Sequence, residues 1–318
     1  MIREPHASGA PLGSEASSGR AGQYDEVRTS APSDVSSSQR RQAAAEPGSA
    51  RWEQPPASRV RLGRISYVNM APVFYRLEAD VEEVQGVPTE LNRRLVAGEI
   101  DLAPISSIEY ARHAATLRIL PRLCVSSEGA VDSIQLVSRV PLEHVRTVAV
   151  TPESATSVVL TKVLLPEAHQ VPLGGAGSSA HEAEAKLLIG DAALKSAFED
   201  PTPHYDLGRL WLERTGLPMV FAVWAAADPP APGTAELEEA LVESVRLARA
   251  EPERLAYEAS ERYGYPPGFL ARYFEKLRYR FGPRERAGLY TFLEMAHEAG
   301  ELDRVPELRF VHEEQVTA

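Results

Sequence analysis

From residue 60 onward the chain reads as short runs of period-two hydrophobicity separated by stretches of helical period. Val60-Arg-Leu-Gly-Arg-Ile alternates as a half-buried strand does, and Pro72 suits the first turn of a short helix after it. Residues 81–87 form a second candidate strand. Residues 88–98 form a helix, with Pro88 near its start and Gly98 just past its end. Asp101-Leu-Ala-Pro-Ile is a third short strand, and Ser106 or Ser107 stands where a cap is needed for a helix running through Glu109, Tyr110 and His113. The alternation continues through a strand at 148–150, a helix at 154–165, a strand at 187–189 and a helix from Asp191. Repeated strand-helix units of this kind predict an α/β fold built on parallel sheets with helices on both faces. After Trp224 the pattern turns helical, with helices at 234–249, 252–263, 267–277 and 283–299 separated by Pro and Gly.

Composition narrows this picture. The 318 residues suffice for two ordinary domains, and 43% apolar content is ordinary for a globular chain. Residues 1–57 hold only Ile2, Leu12, Val27 and Val35 as aliphatics among many Ser, Ala, Gly and Pro, too few to offset ordering entropy, so a disordered tail is expected there. A formal charge of −11 repels phosphate backbones and acidic membranes, so neither nucleic acid nor membrane is an expected partner and any anionic ligand needs a local site. The single cysteine, Cys124, forms no internal disulfide and reads as a small buried hydrophobe. With no signal-like run at the N-terminus and no stretch long enough to span a bilayer, the expectation is a cytoplasmic protein.

The candidate chemistry is uncharged. Asn69 follows the first strand, where open α/β sheets present ligand-binding groups; its amide can donate two hydrogen bonds and accept others, although Asn is also a common turn former. Ser106 and Ser107, and then Ser154, Thr156 and Ser157 in Thr151-Pro-Glu-Ser-Ala-Thr-Ser, stand at helix starts. There they either cap the helix or add hydroxyls to an anion site made of free backbone N–H groups. Asp191 follows Gly190 at the end of an apolar strand, as a cap or as a cleft carboxylate, and Gly190 would let a ligand approach the backbone. Ser133 alone in a strand would attract no notice. Gly174-Gly-Ala-Gly-Ser-Ser lacks the Gly-Lys-Ser/Thr ending of a phosphate loop and reads as a flexible loop. The histidines show no helix-face ligand pair, so no metal site is expected. Trp211, Phe221 and Trp224 read as packing residues, and Arg278-Tyr-Arg280-Phe as part of a solvated helix face.

Five segments together resemble a known family. They are Ile65-Ser-Tyr-Val-Asn-Met-Ala-Pro, Leu102-Ala-Pro-Ile-Ser-Ser-Ile-Glu-Tyr, the segment from Gly129 to Ser133, Leu188-Ile-Gly-Asp, and the run from Asp206-Leu-Gly-Arg-Leu-Trp through Trp224. In this combination, across residues 59–312, the chain resembles the chorismate dehydratases that open the futalosine route to menaquinone. Met219 departs from the aromatic expected there. The resemblance implies a two-lobed type II periplasmic-binding-protein-like fold with a cleft between lobes and a helical C-terminal part. Lobe I would take 58–140 plus 226–314 and lobe II 141–225, with crossings near 133–141 and 221–228. It also implies a cofactor-independent hydro-lyase acting on chorismate, with no obligate protein partner. Asn69 and Ser133 would be catalytic, and Ser106, Ser107, Ser154, Thr156, Ser157, Gly190 and Asp191 would bind substrate. The proton acceptor would be Asp191 or the substrate's own enolpyruvyl carboxylate. Two alternatives share the fold: the 1,4-dihydroxy-6-naphthoate synthase of the same route and a non-catalytic small-anion solute-binding protein.

Overall fold

A computed structural model describes residues 59–173 and 182–312, all within one compact unit spanning Gln54–Ala318. The expected tail and the Gly174 loop lie outside the described residues. The chain opens with β1 (Val60–Ile65), a 3₁₀ turn at Val68–Met70, β2 (Val81–Gly86), α1 (Pro88–Val96), β3 (Leu102–Ser106), α2 (Ser107–Arg112) and β4 (Leu117–Ser127). A second group follows: β5 (Ile134–Ser138), β6 (Thr147–Val150), α3 (Ala155–Leu164), β7 (His169–Pro172), β8 (Ala185–Ile189), α4 (Gly190–Glu199), β9 (His204–Asp206) and α5 (Leu207–Thr215). The chain then returns through β10 (Met219–Ala227) and ends in α6 (Thr234–Ala250), α7 (Pro252–Tyr263), α8 (Pro267–Lys276), β11 (Leu277–Arg280) and α9 (Pro283–Glu298).

Local chemistry explains most boundaries. Pro88 occupies the first turn of α1, where its missing N–H is not needed, and Gly98 takes the left-handed backbone (φ 71°) that lets the chain leave the helix. Asp206 caps α5 by accepting from the Arg209 N–H, and Gly216 ends it in the left-handed region. Pro72 does not open a helix as expected; it follows the 3₁₀ turn within a run of turns.

Among the described residues the strands form two sheets, ordered β11-β4-β10-β3-β1-β2 and β7-β6-β8-β5-β9. Both are mixed rather than purely parallel. β1 runs parallel to β2 and β3, while β10 is antiparallel to β3 and β4. In the second sheet β6 runs parallel to β7 and β8, while β5 is antiparallel to β8 and β9. The chain changes sheets earlier than the expected crossings on both passes. β5 already belongs to the second sheet, and the whole of β10 belongs to the first. Nearly every residue of β10 is buried, and so continuous an apolar run carries no period from which its sheet could be read. β4 escaped the sequence reading because Pro121 sits inside it. The pairing with β10 jumps from Cys124 to Ile119, so the proline lies in a bulge where no ladder donor is required.

The core is continuous across both sheets. Trp211 is fully buried, meets Phe292 edge-on at 6.1 Å and donates its indole N–H to the Pro218 carbonyl; Trp224 and Met219 are also fully buried. These are the packing roles expected for both tryptophans. Burial pushes the Cys124 thiol up to about 12, which agrees with an inert core residue. Residues 278–280 are not a helix face. They belong to β11, where Leu277 and Tyr279 turn inward and Arg278 and Arg280 outward.

Candidate active site

The carboxyl ends of β1, β3 and β8, together with the segment between β6 and α3, converge on one cleft, as the ligand-binding rule for open α/β sheets requires. The cleft encloses about 580 Å³ of space free of protein atoms, continuous with solvent at its mouth. Ile65, Val125, Val131, Ile134, Phe221 and Leu277 supply an apolar wall. Its polar side chains are Tyr67, Asn69, Ser106, Ser133, Ser154 and Ser157, and no charged side chain lines it among the described residues. Asn69 and Ser133, distant in sequence, therefore share one cavity.

Asn69 sits in the 3₁₀ turn after β1 and is held through its backbone, because the Tyr279 hydroxyl donates to the Asn69 carbonyl. Its side-chain Oδ1 is buried and has no hydrogen-bond partner within the protein, an acceptor that a ligand hydroxyl can fill. Ser133 is 3% exposed, and its hydroxyl makes a long 3.4 Å contact to the Val131 carbonyl.

The loop before Ser133 is fixed by Asp206. Its carboxylate accepts from the backbone N–H groups of Val131 and Asp132, from Gln135 Nε2 and from the Arg209 N–H at the start of α5. Asp132 takes a left-handed backbone (φ 60°), a conformation that the Asp206 contact to its N–H sustains. The carboxyl lies above its usual range, because burial outweighs these donors.

The helix starts divide into two groups. Ser106 reaches the cleft, but its hydroxyl does not cap α2. Instead Asn92 of α1 accepts from the Ser106 N–H through Oδ1 and donates to Ser106 Oγ through Nδ2. Ser154 caps α3 by accepting from the Ser157 N–H at 3.3 Å, and the two hydroxyls lie 2.9 Å apart at the cleft. Ser107 and Thr156 do not face the cleft. Ser107 Oγ donates to the Val220 carbonyl and Thr156 Oγ1 accepts from the Ile108 N–H; both residues are fully buried. The Thr156 contact brings the starts of α2 and α3 together across the two sheets.

Asp191 is likewise displaced from the expected role. Its Oδ1 accepts from the Val68 N–H at 3.2 Å and its carbonyl accepts from the Tyr265 hydroxyl, so it ties α4 to the 3₁₀ turn instead of lining the cleft. Burial raises its pKa. Gly190 does line the cleft, for a different reason than the one expected. A Cβ there would stand 2.8 Å from the Tyr67 ring, the backbone has φ 56°, and the Gly190 N–H donates to the Ser133 carbonyl at 2.8 Å. Gly190→Ala is expected to lose about 1–3 kcal/mol in a denaturant titration; an unchanged midpoint would contradict this packing.

Sequence reasoning also missed two tyrosines. Tyr67 donates to Glu153 Oε2 at 2.7 Å, which joins the first sheet to the lead-in of α3, and its phenol is raised far above its usual range, mainly by burial. Its signal was present, two residues before Asn69. Tyr279 was legible from the alternation in β11.

Comparison with known proteins bears on the family and the fold. Residues 60–298 match the family described as menaquinone biosynthesis. A chorismate dehydratase from Thermus thermophilus is 38% identical, with 73% of this chain and 93% of that protein covered. Another from Campylobacter jejuni is 34% identical, over 50% of this chain and 64% of that protein. A crystal structure of a protein from Archaeoglobus fulgidus aligns with a TM-score of 0.65 at 20% identity, covering 76% of this chain and 98% of that one. The periplasmic aliphatic sulphonate binding protein of Escherichia coli aligns with a TM-score of 0.56 at 17% identity, covering 81% and 96%. These two likenesses concern the fold alone and fit a two-lobed periplasmic-binding-protein-like architecture. With three quarters of its length inside one family and a close relative spanning both sheets, the chain belongs to the menaquinone-biosynthesis family that includes the chorismate dehydratases.

Proposed function

We propose that the chain is a cofactor-independent chorismate dehydratase of the cytoplasm, converting chorismate to 3-[(1-carboxyvinyl)oxy]benzoate and water. The observation that carries this reading is the cleft in which Asn69, Ser133 and the two helix starts meet with no charged side chain between them. A proton leaves ring C3 and hydroxide leaves C4, so one water is lost, C3 and C4 become doubly bonded and the ring becomes aromatic. No oxidant or reductant enters this balance.

Asn69 and Ser133 contact the reacting ring, with the open Asn69 amide and the Ser133 hydroxyl placed to orient and bond the departing hydroxyl. The ring carboxylate is conjugated to C3 and takes up charge as the proton leaves. Hydroxyls of Ser154 and Ser157 at the α3 start and of Ser106 at the α2 start hold the carboxylates, and the dipole of α3 favours negative charge there. Asp191 is engaged with Val68, so the substrate's own enolpyruvyl carboxylate, folded over the ring, takes the C3 proton. The apolar wall excludes water and strengthens every one of these contacts.

Mass spectrometry of chorismate incubated with the purified protein and nothing else tests the proposal. It predicts loss of one water in proportion to enzyme, above the spontaneous products formed without it. Chorismate that binds and is recovered intact would contradict it.

A further inference from the structure

The first two residues of α4 connect Asn69 to Ser133. The Gly190 N–H donates to the Ser133 carbonyl at 2.8 Å, and Asp191 Oδ1 accepts, at 3.2 Å, from the N–H of Val68, the residue before Asn69. Two adjacent residues and two hydrogen bonds thus span from the turn after β1, on the first sheet, to the lead-in of β5, on the second. The Asp191 carboxylate serves that span rather than its own helix. α4 starts without a side-chain cap, with Ile189 in the cap position, while Asp191 in its first turn accepts from a backbone N–H 123 residues earlier.

Both ends of this link are fixed. The Tyr265 hydroxyl donates to the Asp191 carbonyl at 3.1 Å, and the Tyr265 ring packs on Phe269 of α8 at 5.7 Å. Val68 is fully buried, so its N–H has no recourse to solvent if Asp191 is removed. On the far side of the same turn the Tyr279 hydroxyl of β11 donates to the Asn69 carbonyl. The turn is therefore gripped by the first sheet at its Asn69 carbonyl and by α4 at its Val68 N–H. Losing the α4 grip leaves Asn69 registered to its own sheet alone, with Ser133 on the other. We infer that Asp191 is a positioning residue: through the Val68 N–H it sets the place of the Asn69 amide relative to the Ser133 hydroxyl, and it takes no proton. The inference rests on the reading that Asn69 and Ser133 both touch substrate.

Steady-state kinetics of Asp191→Ala and Asp191→Asn beside the parent, below every melting temperature, tests it. Asp191→Ala removes the acceptor and is expected to lower kcat about 30-fold, within the range that a misplaced catalytic group produces. KM should stay within about threefold of the parent, because the hydroxyls at the α2 and α3 starts are untouched. Asp191→Asn keeps an acceptor oxygen of the same reach and is expected to hold kcat within about threefold of the parent. Asp191→Ser, whose hydroxyl falls a bond short of the Val68 N–H, should repeat the alanine loss and serves in its place if Asp191→Ala does not fold. A proton acceptor would be abolished by the asparagine substitution as well. A purely structural residue would lower the melting temperature of Asp191→Ala or Asp191→Ser and leave kcat per folded molecule unchanged. Either result would overturn the positioning role while leaving the dehydratase reading in place. A parent that does not turn over chorismate would remove that reading, and the inference with it.

Discussion

Asn69→Ala is expected to reduce kcat on chorismate by about 10³-fold, the size found when a fixed polar contact to a developing charge is removed, while the protein melts as the parent does. The reasoning is geometric. The amide is anchored by its backbone, through Tyr279, and its Oδ1 contributes nothing to the fold because nothing in the protein bonds it. Removing it therefore costs the folded state no hydrogen bond. Steady-state kinetics with a thermal melt separates the two effects. A variant within a few fold of the parent rate would remove Asn69 from the chemistry, and one that melts early would make it a structural residue.

Asp206→Ala should do the opposite, losing stability first and activity as a consequence. The carboxylate gathers donors from Val131, Asp132, Gln135 and Arg209, and it secures the left-handed Asp132 immediately before Ser133. Alanine leaves three partly buried donors without an acceptor, at about 1–3 kcal/mol each before relaxation and solvent access. A net loss on the order of 3 kcal/mol in a denaturant titration is the expected result. Residual folded enzyme should also turn over slowly, because Ser133 loses its loop. Asp206→Asn keeps the shape but offers one acceptor oxygen in place of two, and an intermediate loss is expected. If Asp206→Ala unfolds at the parent's midpoint, the hub has been misread.

Much of this is legible in the sequence, and the reasons differ by element. The helices of the C-terminal part announce themselves through Pro at their starts and Gly between them, signals that act within a few residues and do not depend on the rest of the fold. Asn69, Ser106, Ser154 and Gly190 stand at strand ends and helix starts, so the same local chemistry that bounds the elements points to the cleft. What escaped depends on partners distant in sequence. Whether Thr156 faces a ligand or the Ile108 N–H is decided by the meeting of two sheets, and nothing in the neighbouring residues encodes it. Asp191 looked like a cleft carboxylate because its strand-end position is right; the Val68 N–H that claims it lies 123 residues earlier.

The central claim concerns where chorismate sits and what meets it there. A crystal structure of Asn69→Ala soaked with chorismate tests that most directly. The account predicts the ring in the cleft against Ser133, its carboxylates at the starts of α2 and α3, and its C4 hydroxyl facing the space that Asn69 has vacated. Chorismate seated elsewhere on the protein, or in the cleft with its C4 hydroxyl turned away from both positions, would contradict it.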